Sequence, residues 1–206
     1  MKYQISFIII YLLLQTLLST GGYYYYRSFL RRAYLKEKEL SFFTGFSQLL
    51  IFLSHGIILH LPYYVYTSWP EITTGQLQCS IGFTSGIFAL FIVIFGFFNL
   101  GPFSRTMGIN SKKLTTHGLY RFSRNPQVLA YGLFLVSYAI VWPSWYIVPS
   151  LISYGVIVHR MVLTEELHLR NIFGEAYKEY CIETPRYIFE FKDRKKSPPE
   201  NGNYNI

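Results

Sequence analysis

This sequence is poor in charge. Only 15% of its 206 residues are Asp, Glu, Lys or Arg, well under the roughly 25% of an average soluble domain. Two cysteines, Cys79 and Cys181, are too few for a disulfide framework or a four-cysteine metal site. The chain has no Gly-x-Gly-x-x-Gly, no P-loop and no Gly-x-Ser-x-Gly elbow, so a soluble Rossmann-type nucleotide domain does not fit it. What fills the space is apolar: 51% hydrophobic and 19% aromatic residues, with a mean hydropathy of +0.23. A soluble domain of this length has no interior large enough for that surface, and a disordered chain is excluded as well.

The few charges are placed with a pattern. Residues 3–26, 40–70, 72–104 and 125–159 carry none. A membrane span needs about 20 apolar residues, so the first three runs hold one span each, at about 4–24, 43–66 and 77–99. The fourth run is too long for one helix and is broken by Trp142-Pro143-Ser144-Trp145. Proline removes a helical donor and disfavours helix before it, and paired Trp suits an interfacial turn. The run therefore reads as a hairpin of spans at about 126–142 and 144–163.

Cations test the count. With Arg160, in the last turn of the fifth span, counted with the tail, the segments before, between and after the five spans hold 1, 5, 0, 5, 0 and 8 cations. That alternation satisfies the positive-inside rule, with the N-terminus outside and the C-terminus cytoplasmic. The net charge of +8 is thus a property of one face and gives no argument for nucleic acid. A cleaved signal peptide is the rival reading of the start, but the apolar run continues into Tyr23–Tyr26 like an aromatic belt. The expected fold is all-α, an integral-membrane helical bundle of about five transmembrane helices. Residues 1–104 carry spans one to three, 105–191 a C-terminal hairpin region, and 192–206 a charged, Pro-rich disordered tail.

Polar residues gather in two segments that bracket the hairpin, 112–127 and 160–186, which a helical hairpin makes neighbours. Asn125-Pro126 reads as an N-cap with proline at the first helical position. With Arg124 beside it, that helix start suits an anionic ligand group. Glu165-Glu166 is costly at a membrane boundary unless paired or wetted. Adjacent helical residues point about 100° apart, so one carboxylate can enter a site while the other meets a basic residue. His55 and His60, inside a span, are functional candidates by default; five apart, they share no helix face, which argues against a metal site and favours packing or interhelical hydrogen bonding, as for Gln48. His117 and His168 lack a third ligand at metal spacing. Asn99, near the end of span three, has no role legible from the sequence.

These segments resemble the C-terminal signature of the isoprenylcysteine carboxyl methyltransferase and phospholipid methyltransferase superfamily. Leu114, Gly118, Tyr120, Arg124, Pro126, Glu165, Glu166, Phe173, Gly174, Tyr177, Tyr180, Pro185 and Arg186 stand in its order and register. The match covers about residues 112–187, a third of the chain. The resemblance implies a membrane enzyme using S-adenosylmethionine. Its cofactor would be lined by Lys112, Lys113, Leu114, Thr115, Gly118, Tyr120, Arg124, Asn125, Pro126, Gln127, Val128 and Glu165. Glu165 and Glu166 are the candidate catalytic carboxylates, and Arg160 a candidate cationic contact for the acceptor. Asn125 replaces the family's usual His, and Val128 replaces an aromatic residue that would wall the pocket.

The implied reaction is methyl transfer to a lipophilic acceptor that enters from the bilayer. A prenylated cysteine carboxylate or similar acid, which needs no general base, ranks first. A phospholipid amine ranks second. A sterol-reductase-like enzyme using NADPH and a non-catalytic membrane scaffold are the readings from other classes. Oligomeric state has no signature in the sequence.

Overall fold

The computed structural model describes residues 2–36, 40–65, 75–101 and 113–188. The expected disordered tail at 192–206 and the candidate Lys112 lie outside these. Among the described residues the secondary structure is helical, with no strand. Helix α1 spans Lys2–Tyr24 and runs on through a π-helical turn, Tyr25–Leu30, into α2, Arg31–Lys36. Then follow α3 (Phe42–Val65), α4 (Gln76–Leu100), a 3₁₀ turn at Gly118–Arg121, α5 (Pro126–Val141), α6 (Ile147–Phe173) and α7 (Glu175–Glu183). The protein is an all-α membrane bundle.

Four of these units are long and apolar enough to cross a membrane: residues 5–36, 42–62, 76–100 and 147–173. The expected fourth span, α5, has only 16 residues. At ~1.5 Å per residue it reaches about 24 Å, short of the ~30 Å hydrocarbon core. Its start at Pro126 is fixed by the polar segment before it, and its end by the Trp142-Pro143 break. The span that follows extends ten residues past the expected 163, reaching Phe173, because Glu, His and Arg continue a helix as readily as apolar residues do.

Small residues set the closest packing. Gly82, Gly86, Ala89 and Gly96 are the buried positions of α4 and lie on the seam against α5. A Cβ on Gly96 would come 2.6 Å from Gln127 Cγ, and one on Gly22 2.9 Å from Ile157 Cγ1. In lipid, where apolar burial gives no drive between helices, such close approach supplies the contact energy. Polar side chains add to it between α1, α3 and α6. Tyr11 Oη lies 2.7 Å from Ser150 Oγ, Gln15 donates to the same cluster, and His55 Nε2 sits 3.0 Å from Ser150 O. His55 therefore plays the interhelical role expected of it. A second cluster of Tyr26, Leu30, Tyr34, Ile157, Met161 and Val162 locks the end of α1 and α2 to α6.

Candidate active site

The two polar segments do come together, and backbone bonds do much of the joining. Arg124 N donates to Pro185 O at 2.9 Å, and Ser123 Oγ and Asn125 Nδ2 donate to Arg186 O at 3.1 and 3.2 Å. Tyr180 Oη donates to Tyr120 O at 2.6 Å. Burial holds the Tyr177 and Tyr180 hydroxyls above the ordinary tyrosine value, so both remain neutral donors.

The adjacent glutamates diverge. Glu166 is buried and receives Arg186 in a fork, Nε to Oε1 at 2.9 Å and Nη2 to Oε2 at 2.8 Å. Arg124 Nη2 reaches the same carboxylate at 3.3 Å, and Arg124 Nη1 also donates to Cys181 Sγ. Glu165 is half-buried, and no ion pair to it occurs among the described residues. It lines a cavity of about 930 Å³.

That cavity lies between α3 on one side and α4, α5 and α6 on the other. Its polar end is lined by Lys113, Thr115, Tyr120, Asn125, Gln127, Glu165 and His168. Its apolar end runs along Leu49, Phe52, Leu53, Ile57 and Leu61 of α3 to Val93 and Phe97 of α4. Leu53 and Ile57 are 51% and 66% exposed while lining it, so the apolar end opens sideways out of the bundle.

Of the residues singled out in the sequence, Lys113, Leu114, Thr115, Tyr120, Arg124, Asn125, Gln127, Val128, Glu165 and Glu166 line this one space. Gly118 and Pro126 do not. Gly118 has φ +62° and packs its backbone against the Asn99 carboxamide, where a Cβ would overlap Asn99 Oδ1. That contact also gives Asn99 its place. Pro126 occupies the first turn of α5 and is buried. Arg160 faces elsewhere. Five residues before Glu165 it points about 140° away on the helix, with its guanidinium 5.5 Å from the Tyr23 ring.

Asn125 departs from the expectation in its chemistry. It holds the N-cap position, but its side chain makes no capping bond, because the carboxamide is turned to Arg186 O. The first amides of α5 are thereby left uncapped where Gln127 and Val128 border the cavity. The aromatic wall missing at Val128 is supplied from elsewhere. Tyr154 of α6 donates to Val128 O at 2.5 Å and meets Tyr131 at 5.3 Å between ring centroids, and both rings line the cavity.

Tyr34, Gln48, His60 and His168 line the cavity too, outside the residues that carry the signature. His168 stacks on Tyr34 at 3.9 Å. It is three residues from Glu165, a helical neighbour on the same face, which is the signal that could have found it. Tyr34 lies more than 70 residues upstream of the signature and carries no such signal.

Residues 77–176 match the phospholipid methyltransferase family. The match runs from α4 into α7 and overlaps the signature around the hairpin. The resemblance to the integral-membrane methyltransferases therefore holds, and the family implies a membrane methyltransferase. No curated protein and no solved structure matches the chain.

Proposed function

We propose that the protein transfers a methyl group from S-adenosylmethionine to a polar group on a lipid, inside the cavity beside Glu165. This reading is supported by a single space lined both by polar residues of the two signature segments and by Leu53 and Ile57, apolar residues of α3 that are also exposed on the outside of the bundle. The donor set suits the cofactor. The uncapped amides at the start of α5, with Lys113 nearby, would hold its carboxylate. Glu165 would face its cationic groups, and Tyr120 and Thr115 would border it. When bound, S-adenosylmethionine supplies a methyl group on a sulfonium centre. This chain's own part is to position the acceptor and exclude water, effects able to supply most of the rate for so reactive a donor.

Charge favours an amine acceptor over the carboxylate that ranks first from sequence. Arg124 is engaged by Glu166 and Arg160 points away, so neither guanidinium is offered to an anionic acceptor. Glu165, in contrast, attracts an ammonium group and can accept the proton that an amine must lose before it attacks. A phospholipid amine fits both facts and the matched family. Cofactor from the cytoplasm and lipid from the bilayer meet there if the N-terminus is outside and the C-terminus cytoplasmic, as the cation pattern argues.

The test is incubation of enriched membranes with methyl-labelled S-adenosylmethionine and lipophilic acceptors. Alkali-stable label in an amine-headed lipid is expected. Label released as methanol by alkali indicates a carboxyl ester instead, and no label with either class overturns the methyltransferase reading for these acceptors.

A further inference from the structure

On the face of α6 turned away from the cavity, two guanidinium groups share one aromatic ring. Arg160 lies 5.5 Å and Arg27 5.8 Å from the Tyr23 ring centroid. Arg31 is within electrostatic reach of Arg160 as well. Arg160 is only 6% exposed, and its buried Nε has no hydrogen-bond partner. No carboxylate pairs with Arg27, Arg31 or Arg160 among the described residues. A buried, unpaired cation next to two others is strongly unfavourable unless an anion joins them.

The sequence fixes the depth of this cluster. Arg27 is the first charge after the uncharged run 3–26, and Arg160 the first after 125–159. Both therefore sit where the apolar belt ends, at the level of lipid headgroups. The anion abundant at that depth is a phosphate, which guanidinium binds through paired charge-assisted bonds. Tyr23 is ready to take part. Its oxygen accepts from Arg27 Nη1 at 3.2 Å, which leaves its own O–H proton to donate.

We propose that Arg160, Arg27 and Tyr23 form a phosphate site for the headgroup of an anionic phospholipid, separate from the methyl-transfer cavity. The site links α1 to α6, so its ligand braces the helix that carries Glu165. The proposal does not depend on the chemistry assigned to the cavity.

The test uses the full-length protein in neutral detergent micelles, with the thermal midpoint read while one additive is titrated. The probes are dioleoylphosphatidylglycerol, dioleoylphosphatidylcholine, dioleoylglycerol and inorganic phosphate. Phosphatidylglycerol is expected to raise the midpoint, and Arg27→Gln/Arg160→Gln to raise the half-maximal lipid concentration by about tenfold or more. Should Arg160→Gln fail to fold, Arg27→Gln and Tyr23→Phe carry the test, since Arg27 is exposed and phenylalanine keeps the ring. A shift by inorganic phosphate alone that these variants abolish supports the site and assigns it a soluble ligand. An equal shift with dioleoylglycerol, an equal shift with phosphatidylcholine, or an unchanged response in the variants overturns it.

Discussion

The Glu166 carboxylate holds the Arg186 guanidinium through two bonds of 2.9 and 2.8 Å, and so ties the chain after α7 to the middle of the site. Arg124 shares the same carboxylate. One acidic side chain thus fixes both halves of the signature, and its neighbour Glu165 is left to face the cavity.

Removing that clamp should cost stability more than any other change at the site. Glu166→Gln leaves two guanidinium groups sharing a neutral amide, and breaking a buried pair typically costs roughly 3–5 kcal/mol. Glu165→Gln should leave the unfolding midpoint nearly unchanged and abolish methyl transfer. Thermal unfolding in detergent, run beside an activity assay, separates the two.

Gly118→Ala should destabilise by about 1–3 kcal/mol, since it combines a left-handed backbone with a steric clash. The clash is with Asn99, so Asn99→Ala in the same chain should recover part of the loss. A double-mutant cycle of unfolding midpoints measures the coupling.

Tyr180→Phe should cost about 1–3 kcal/mol, the penalty of leaving the Tyr120 carbonyl without its buried donor. The pH dependence follows from the same group. Its folded-state value is raised, so its contribution is complete below the unfolded value of about 10 and is lost as pH climbs above that. Wild type should therefore lose stability above about pH 10 more steeply than Tyr180→Phe, as unfolding across an alkaline pH series will reveal.

Hydropathy and proline made the spans and the hairpin legible, because lipid forces every crossing segment to be apolar and helical. The convergence of 112–127 with 160–186 followed from that hairpin. What stayed hidden depends on side chains reaching across the bundle. Nothing local marks Tyr34 as the partner of His168, or Tyr154 as the wall that replaces an aromatic residue at 128. The α1 unit was expected to end near Tyr24 because charge begins at Arg27, yet the helix runs to Lys36 once its apolar face packs on α6. Asn125 has a strong local propensity to cap, and tertiary contact with Arg186 overrides it.

The proposed reaction requires that the cavity beside Glu165 bind S-adenosylmethionine. Calorimetric titration of the purified protein with S-adenosylhomocysteine, the demethylated product, tests it most directly. Saturable one-site binding should appear in wild type and in Arg27→Gln, and weaken by about tenfold or more in Glu165→Gln, a loss of about 1.4 kcal/mol. Binding of equal strength in Glu165→Gln, or none in wild type, would mean that Glu165 does not hold the cofactor in this cavity.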